Sequence, residues 1–583
     1  MFSKLLAKPC SFLLASAISL APVAGAQDWH HSDDHHGNRH VLLVSIDGMH
    51  AVDYENCVAR NTCPALAALG KTGVNYTRTT TSRPSDSFPG LMALVTGGTP
   101  RTVGAFYDVA YDRVLAPPKT TTGNGLAGGN CVQGQINGTQ TEYEEGVEID
   151  QTKVNGGGPY AMFDGGVLSI DPDKLERDPF NGCKPVYPWN FIRTNTIYGV
   201  IHAAGGFTAW SDKHPVYAVV SGPTGTNSPT NVDDYYAPEV NSNVVDIPNF
   251  KTANGTDCSH ISRNTSGDWT TDFDSIKCYD QLKVNAVVNW INGKNHLGTS
   301  KQPVPVIFGM NFQAVSVGQK LIEQINGAKV FGGYTDAAGD PTPSMAGEIA
   351  FVDAAIGQMV AALKHDGLLD STTIIITAKH GQSPIDTHRF FPIPGPSGNN
   401  GQPPSQILAA LLPAAETSGL GPTEDDISQL WLTNSSDTLK AVGMLESDAA
   451  MAGIGQIFYG ASLTTLFNAP GVPDNPGPCC FLRAGGDPRT PDIIVAPNVG
   501  VVYTGSSKKQ SEHGGFAWDD TNVMLLVSNP HIEARTIDSF VETAQVAPTI
   551  LEILGLNPDK LDAVRKEGTP ALPAVQFGDD EQR

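Results

Sequence analysis

The stretch that decides the fold class is Val41-Leu42-Leu43-Val44-Ser45-Ile46-Asp47-Gly48, an apolar run that ends in an acid and a glycine. A strand that is apolar on both faces is typical of a parallel sheet, and the polar groups that follow such strands gather at one edge of the sheet. Similar runs and helical patterns alternate further along the chain, with strands at Val304–Gly309, Thr373–Thr377, Asp492–Ala496 and Val523–Val527 and helices at Gly347–Leu363 and Val541–Leu554. The sequence therefore predicts an α/β fold with a mostly parallel central sheet flanked by helices.

Two long stretches interrupt this alternation, at about 115–300 and 386–490, and both are rich in Gly, Pro, Asn and Thr. They predict loop-rich insertions over the edge of the sheet that carries the chemistry, where substrate selection is usually decided. We expect one large domain from residue 40 to residue 583, insertions included.

The first residues have the features of an export signal. Lys4 and Lys8 precede the apolar stretch Phe12–Leu20, and Ala24-Gly25-Ala26 supplies a small-residue cleavage site. We expect residues 1–26 to be removed and residues 27–39 to form a tail rich in His and Asp. Since no later stretch reads as long and apolar enough to cross a bilayer, the sequence predicts a secreted or periplasmic protein without a membrane span.

The number of cysteines is consistent with an exported protein. Eight remain after the predicted signal, an even number that favours disulfides in an exported protein. Proximity in sequence favours three pairs, Cys57–Cys63, Cys131–Cys183 and Cys258–Cys278. The adjacent Cys479 and Cys480 could pair with each other only through a strained ring, and the connectivity stays open.

The net charge limits the classes of partner that the protein can bind. The chain of 583 residues has a formal net charge of −23, so it lacks the basic surface that a general nucleic-acid-binding protein needs. With 40% hydrophobic and 17% charged residues, it is able to bury a substantial core.

Polar residues suited to one chemistry lie after or at the ends of the predicted elements. Asp47, His380 and His513 are ligand types for a divalent cation, and a serine hydroxyl bound to that cation would be a better nucleophile. Ser87 directly precedes a short apolar helix, whose N-terminus favours negative charge. Taken singly, each residue also fits a turn, a buried histidine or a helix cap. Their joint occurrence predicts a site.

Three further residues are candidates for substrate contacts. Lys213 and His214 lie in a polar segment after an apolar run, where they either contact an anionic group or form a surface turn. Asn311 follows a predicted strand and either donates to substrate oxygens or caps the strand end.

The order of these motifs resembles the alkaline phosphatase superfamily, and within it the type I phosphodiesterase/nucleotide pyrophosphatase branch. The resemblance rests on the segments Asp47-Gly48, Ser87-Phe88-Pro89, His380-Gly381, His513-Gly514 and Val546–Gly555. It implies an alkaline-phosphatase-like catalytic domain in which Ser87 forms a covalent phospho-enzyme. It also implies that Asp47 and His380 bind one metal ion and that His513 binds another.

The chain departs from the family at several ligand positions. Lys379 stands where the family has an Asp, and Val315 and Gln319 stand where it has an Asp and a His. Two divalent cations close together need several carboxylates to offset their repulsion. We therefore expect one divalent ion, zinc, held by Asp47, Ser87, His380 and His513.

Lys379 is expected to be catalytic, its charge replacing that of the second cation at the phosphate. Two alternatives stay open at this point. Lys379 could form a salt bridge on the rim of the site, or the site has lost metal catalysis altogether.

These features predict a hydrolase for small-molecule phosphate esters, in particular phosphodiesters or pyrophosphates. A phosphomonoesterase or a sulfatase of the same superfamily is an alternative, although Asp86 occupies the arginine position of the sulfatase activation motif. An alternative from another class is a non-catalytic binding protein on a degenerate phosphatase scaffold.

Overall fold

The structure is a computed structural model that describes residues 39–143, 146–153, 163–242, 249–260, 268–467 and 487–575. The predicted signal, residues 27–38 of the predicted tail, and Cys479 and Cys480 lie outside the described residues.

The central sheet has eight strands, which lie side by side in the order Arg535–Ile537, Gly73–Tyr76, Leu525–Ser528, Thr372–Thr377, His40–Ile46, Ile307–Phe312, Ala209–Ser211 and Asp234–Tyr236. Only Leu525–Ser528 runs antiparallel to its neighbours, so the mostly parallel sheet predicted from the sequence is confirmed. The strand His40–Ile46 lies in the middle, where six of its seven residues are buried.

The strand register determines which residues meet at the edge of the sheet. Ser45 lies beside Asn311 on one side and beside Thr377 on the other, and Met310 lies beside Ser211. The residues that follow these strands therefore leave the sheet at the same level. Since parallel strands present their carboxyl ends together, this register brings chain segments distant in sequence to one edge.

The helices cover the sheet and fill the connections. Their bounds are Ala51–Ala59, Pro64–Gly70, Ser87–Thr96, Pro100–Val103, Pro188–Phe191, Ile197–Ala203, Phe273–Ile291, Ala314–Lys320, Pro343–His365, Pro404–Ile407, Thr438–Ser447, Ala461–Phe467, Trp518–Thr521, Val546–Ile553 and Asp562–Glu567. The remaining strands pair in small sheets at Thr79–Thr80, Val109–Asp112, Thr139–Glu142, Arg177–Asp178, Lys184–Pro185, Ile322–Ile325, Ala328–Phe331, Phe391–Pro392, Thr423–Glu424, Ser428–Leu430, Ile454–Tyr459, Ile493–Pro497, Val501–Val502 and Val541–Glu542.

Two strand placements differ from the sequence prediction. The run at 492–496 is a strand, but it pairs with Ser428–Leu430 and Ile454–Tyr459 in a separate antiparallel sheet. Conversely, Ala209–Ser211 and Asp234–Tyr236 join the central sheet from within the stretch 115–300 that reads as an insertion. Strands of three residues leave almost no periodic pattern, and an apolar run does not reveal which sheet it enters.

One helix within the described residues, Pro343–His365, is long and apolar enough by composition to cross a membrane. In this structure its apolar side is part of the hydrophobic core, where Met345, Phe351, Val352 and Met359 are buried.

Among the described residues there are three disulfides, and they are the three pairs that sequence proximity favours: Cys57–Cys63, Cys131–Cys183 and Cys258–Cys278.

The buried carboxyl group of Glu416 makes stability depend on pH. Neither of its oxygens has a hydrogen-bond partner among the described residues. Burial raises the pKa of Glu416 to about 8, although the charge of Arg113 opposes the rise. The folded chain thus binds a proton that the unfolded chain has lost, and stability falls as pH rises from the model-peptide value of 4.5 towards 8.

We therefore expect Glu416→Gln to raise the melting temperature relative to wild type at pH 9, on the order of 2 °C, and to have little effect near pH 5. Thermal unfolding followed by circular dichroism across this pH range measures the difference. The control is the exposed Glu446→Gln. Its difference in melting temperature from wild type should not change with pH. An equally flat profile for Glu416→Gln would show that Glu416 does not carry the effect.

Candidate active site

Ser87 is the first residue of the helix Ser87–Thr96, all of whose residues are buried. The side chain of Asp86 caps this helix by accepting a hydrogen bond from the Phe88 N–H at 2.9 Å. Gly97 ends the helix with a positive φ of 73°. Ser87 thus lies in the first turn, one position after the N-cap, which is where serine is often found.

Two other chain segments hold this helix N-terminus in place. A Cβ atom at Gly90 would collide with the carbonyl group of Lys379, so the helix packs directly against the backbone at the end of a sheet strand. The hydroxyl of Thr81 donates to the same carbonyl oxygen. On the other side, the Gly514 N–H donates to the Ser85 carbonyl at 2.8 Å. These contacts bring the Ser87, Lys379 and His513 segments together.

Asp47 is fully buried and its Oδ2 atom is surrounded by donors. Gln313 donates to it at 2.6 Å and Asn311 at 3.1 Å, and the Lys379 ammonium lies 3.5 Å away. The other carboxylate oxygen of Asp47 has no hydrogen-bond partner among the described residues. Burial alone would raise the pKa of Asp47, but the charges of Lys379 and His380, with a contribution from Lys213, hold it well below its usual range.

Lys379 bridges Asp47 to a second carboxylate. Its ammonium lies 3.3 Å from Asp212 Oδ1, and all three side chains are at most 1% exposed. Asp212 is fixed in turn because the Trp210 indole N–H donates to its Oδ2 at 3.0 Å. The alternative in which Lys379 forms a salt bridge on the rim is therefore wrong, since the pairing is inside the protein.

Lys213 reaches the nucleophile candidate directly. Its ammonium donates to Ser87 Oγ at 3.2 Å, and the residue is 5% exposed. The backbone of Lys213 is held from both sides, since its N–H donates to Asp212 Oδ1 and its carbonyl accepts from the Tyr279 hydroxyl. The Tyr217 ring lies below both lysines, with its centroid 5.7 Å from Lys213 Nζ and 4.4 Å from Lys379 Nζ.

His380 and His513 pack ring against ring, with their centroids 4.0 Å apart. His380 Nδ1 donates to the Gly381 carbonyl at 2.7 Å, and its Nε2 lies 3.6 Å from Asp47 Oδ2. His513 Nδ1 lies 3.5 Å from Asp86 Oδ1. Burial, followed by the charges of His380, Lys320 and Lys213, lowers the pKa of His513 well below its usual value.

Val315 and Gln319, the two residues that stand at metal-ligand positions of the family, are part of the protein core. Val315 is fully buried among apolar residues. Gln319 uses its amide nitrogen to donate to the Gly48 carbonyl at 2.6 Å and to the Tyr334 hydroxyl at 2.8 Å. Tyr334 donates onward to the carboxylate of Asp53. Together with the buried His50, which pairs with Asp53 at 3.0 Å, these groups form a hydrogen-bonded network in which the Gln319 amide nitrogen is a donor.

The residues present do not fit a centre of two metal ions. Within the described residues, no three His, Cys, Asp or Glu side chains gather in a group that could hold a metal ion. The single ion predicted on Asp47, Ser87, His380 and His513 meets a second obstacle, because the Lys379 ammonium already balances Asp47. Placing a divalent cation beside that ammonium is unfavourable in a buried site.

The structure also locates the three substrate-contact candidates. Lys213 faces Ser87, whereas His214 is buried and pairs with Glu239 at 2.8 Å. Asn311 orients Asp47. The sequence analysis missed Asp212 and assigned no site role to Asp86, although each directly precedes a residue that it singled out.

A cavity of about 690 Å³ opens onto His513. Its lining is mostly polar and includes Tyr107, Lys174, Lys320 and Lys509. Ser87 is not among the lining residues, and its side chain is buried.

Similar solved structures include those of murine ectonucleotide pyrophosphatase/phosphodiesterase 5 and its human counterpart. The murine protein is 14% identical, with a TM-score of 0.49 over 89% of this chain and 96% of its own, and an inactive variant bound to AMP gives the same values. The human protein is 13% identical, with a TM-score of 0.48 over 89% and 95%. No curated protein sequence matches this chain.

A sequence model of the type I phosphodiesterase/nucleotide pyrophosphatase family matches residues 41–144 and 317–401. These segments contain the Asp47 strand end, the Ser87 helix and the Lys379-His380 strand end. The match confirms the resemblance seen in the motifs: over these two segments the chain is similar to the type I phosphodiesterase/nucleotide pyrophosphatase family.

Proposed function

We propose that this protein hydrolyses phosphodiester or pyrophosphate bonds of small molecules, with Ser87 as the nucleophile. The observation that carries the proposal is the hydrogen bond from the Lys213 ammonium to Ser87 Oγ at a helix N-terminus. A hydroxyl in this position faces the positive end of the helix and a cation, both of which favour a phosphate group.

The reaction has two steps. In the first, the Ser87 Oγ–P bond forms while the bond from phosphorus to the leaving oxygen breaks, and the proton of the serine hydroxyl ends on that leaving oxygen. In the second, a water oxygen bonds to phosphorus, the Oγ–P bond breaks and Ser87 recovers a proton from the water. The products are an alcohol or phosphate and a phosphate ester, as the mass balance of hydrolysis requires.

The cavity at His513 is the proposed entrance for substrate. Its wall carries charges of both signs, namely the lysines Lys174, Lys320 and Lys509 and the acids Asp108, Glu424, Asp425 and Glu512. We place the reaction outside the cytoplasm, since the three disulfides fit an oxidising compartment.

The predicted zinc ion is not part of this proposal, because the ammonium of Lys379 occupies the charge-balancing role beside Asp47. A non-catalytic binding protein is the second candidate function. The observation that favours it is the complete burial of Ser87 and Lys379.

The first test uses Ser87→Ala. We expect this variant to lose hydrolysis of an aryl phosphodiester by at least about 10³-fold, because the nucleophile is gone. A second measurement is mass spectrometry of acid-quenched wild-type protein, which should show one added phosphoryl group on the peptide that contains Ser87.

Ser85→Ala is the matched control, since Ser85 lies in the same segment but donates its hydroxyl to the Asp520 carbonyl. If Ser87→Ala retained wild-type turnover, another nucleophile would be at work. A wild-type protein that binds phosphate esters without turning over monoesters, diesters, pyrophosphates or sulfates would support the binding-protein alternative.

Lys379 should also matter for stability. Lys379→Met leaves Asp47 and Asp212 as buried carboxylates without their shared cation, so we expect the free energy of unfolding to fall by about 3–5 kcal/mol. Chemical denaturation measures the change. The exposed Lys364→Met should change it little, and a loss for Lys379→Met no larger than this control would contradict the role of Lys379 as the cation that holds both acids.

A further inference from the structure

Two buried lysine side chains, Lys213 and Lys379, lie against one tyrosine ring near the candidate nucleophile. Lys213 Nζ touches Ser87 Oγ, and Lys379 Nζ lies over the same Tyr217 ring as Lys213 Nζ. Both side chains are almost completely buried. One ammonium group therefore contacts the proposed nucleophile and a second lies over the same ring, in a buried environment that strengthens their electrostatic effect.

The two lysine side chains are held in place in different ways. Lys379 is held by the carboxylates of Asp47 and Asp212 at 3.5 and 3.3 Å, so its position is fixed. Lys213 is positioned through its backbone, which donates to Asp212 and accepts from Tyr279. Its ammonium donates to the serine hydroxyl at 3.2 Å.

The charge balance is unsuitable for divalent cations. Asp47 and Asp212 are paired with Lys379, and two divalent cations would add four positive charges beside this buried ammonium group. A phosphate ester at Ser87, being an anion, would instead be attracted by the Lys213 ammonium, which donates to Ser87 Oγ.

We propose that Lys213 is a further catalytic residue, and that Lys213 and Lys379 together replace the metal ions on which members of this family generally depend. This inference rests on the proposed function, because it concerns the same phosphoryl group and the same nucleophile. Cleavage of the ester then requires no divalent cation.

The chemistry is electrostatic. Negative charge grows on the phosphoryl oxygens and on the leaving oxygen as the bond breaks, and the two ammonium groups stabilise it in place. Both lysines keep their protons throughout. The proton balance is the one given for the two steps above.

The experiment combines metal analysis, turnover and anion binding on the full-length protein. The protein is treated with a chelator, the chelator is removed by dialysis, and metal content is measured by mass spectrometry. We expect a substoichiometric metal content, unchanged diesterase activity and unchanged affinity for inorganic phosphate in calorimetry. Lys213→Ala should lower kcat/KM by about 10²–10³-fold and weaken phosphate binding about 10- to 100-fold.

Two further lysine variants guard against a folding defect. Lys213→Met keeps the apolar stem and should show the same losses, and Lys213→Arg keeps the charge and should recover much of the phosphate affinity. The exposed Lys364→Ala, at the far end of the helix Pro343–His365, is the control and should behave as wild type.

The inference would be overturned by a stoichiometric metal ion whose removal abolishes activity or phosphate binding and whose return restores it. Wild-type phosphate affinity in both Lys213→Ala and Lys213→Met would overturn it as well. The binding arm separates this inference from the proposed function. If no ester were turned over, the proposed function would fail, while phosphate binding by the chelator-treated protein would still report on Lys213.

Discussion

Lys379 carries a positive charge into the interior and holds Asp47 and Asp212 on either side of it. Each of the three groups would be costly to bury alone, and each is acceptable only because the other two are present. The arrangement joins the end of the central strand to the segment that follows the strand Ala209–Ser211 and carries Lys213. The position of Lys213 beside Ser87 therefore depends on this ion-pair network.

Because this network is buried, the site can accommodate few acidic side chains as metal ligands. Around Asp47, the amide groups of Asn311 and Gln313 and the ammonium of Lys379 together satisfy one carboxylate oxygen. Gln319 has become a connector between Gly48 and Tyr334. The replaced ligand positions are thus integrated into the fold, and they are not simply gaps in an otherwise complete metal centre.

Much of the fold could be predicted from the sequence because long apolar strands leave an unambiguous pattern. The central strand with Asp47 at its end, the Ser87 helix and the helix within Pro343–His365 all follow from such patterns. The two strands Ala209–Ser211 and Asp234–Tyr236, within 115–300, could not be predicted, since three residues carry no periodicity. The salt bridge of Lys379 to Asp212 could not be predicted from the sequence either, because it depends on the register between Met310 and Ser211. The pairing of Asp86 with His513 likewise depends on a contact between segments more than four hundred residues apart.

Gly90 lies directly against the backbone of Lys379, so a larger residue at position 90 would displace the lysine and both of its acids. Restoring a histidine at 319 or an aspartate at 315 would likewise remove core contacts before an ion had enough ligands to bind. Each of these substitutions would therefore lose an existing interaction at once, and the charged interior would tolerate substitution less well than the wall of the cavity.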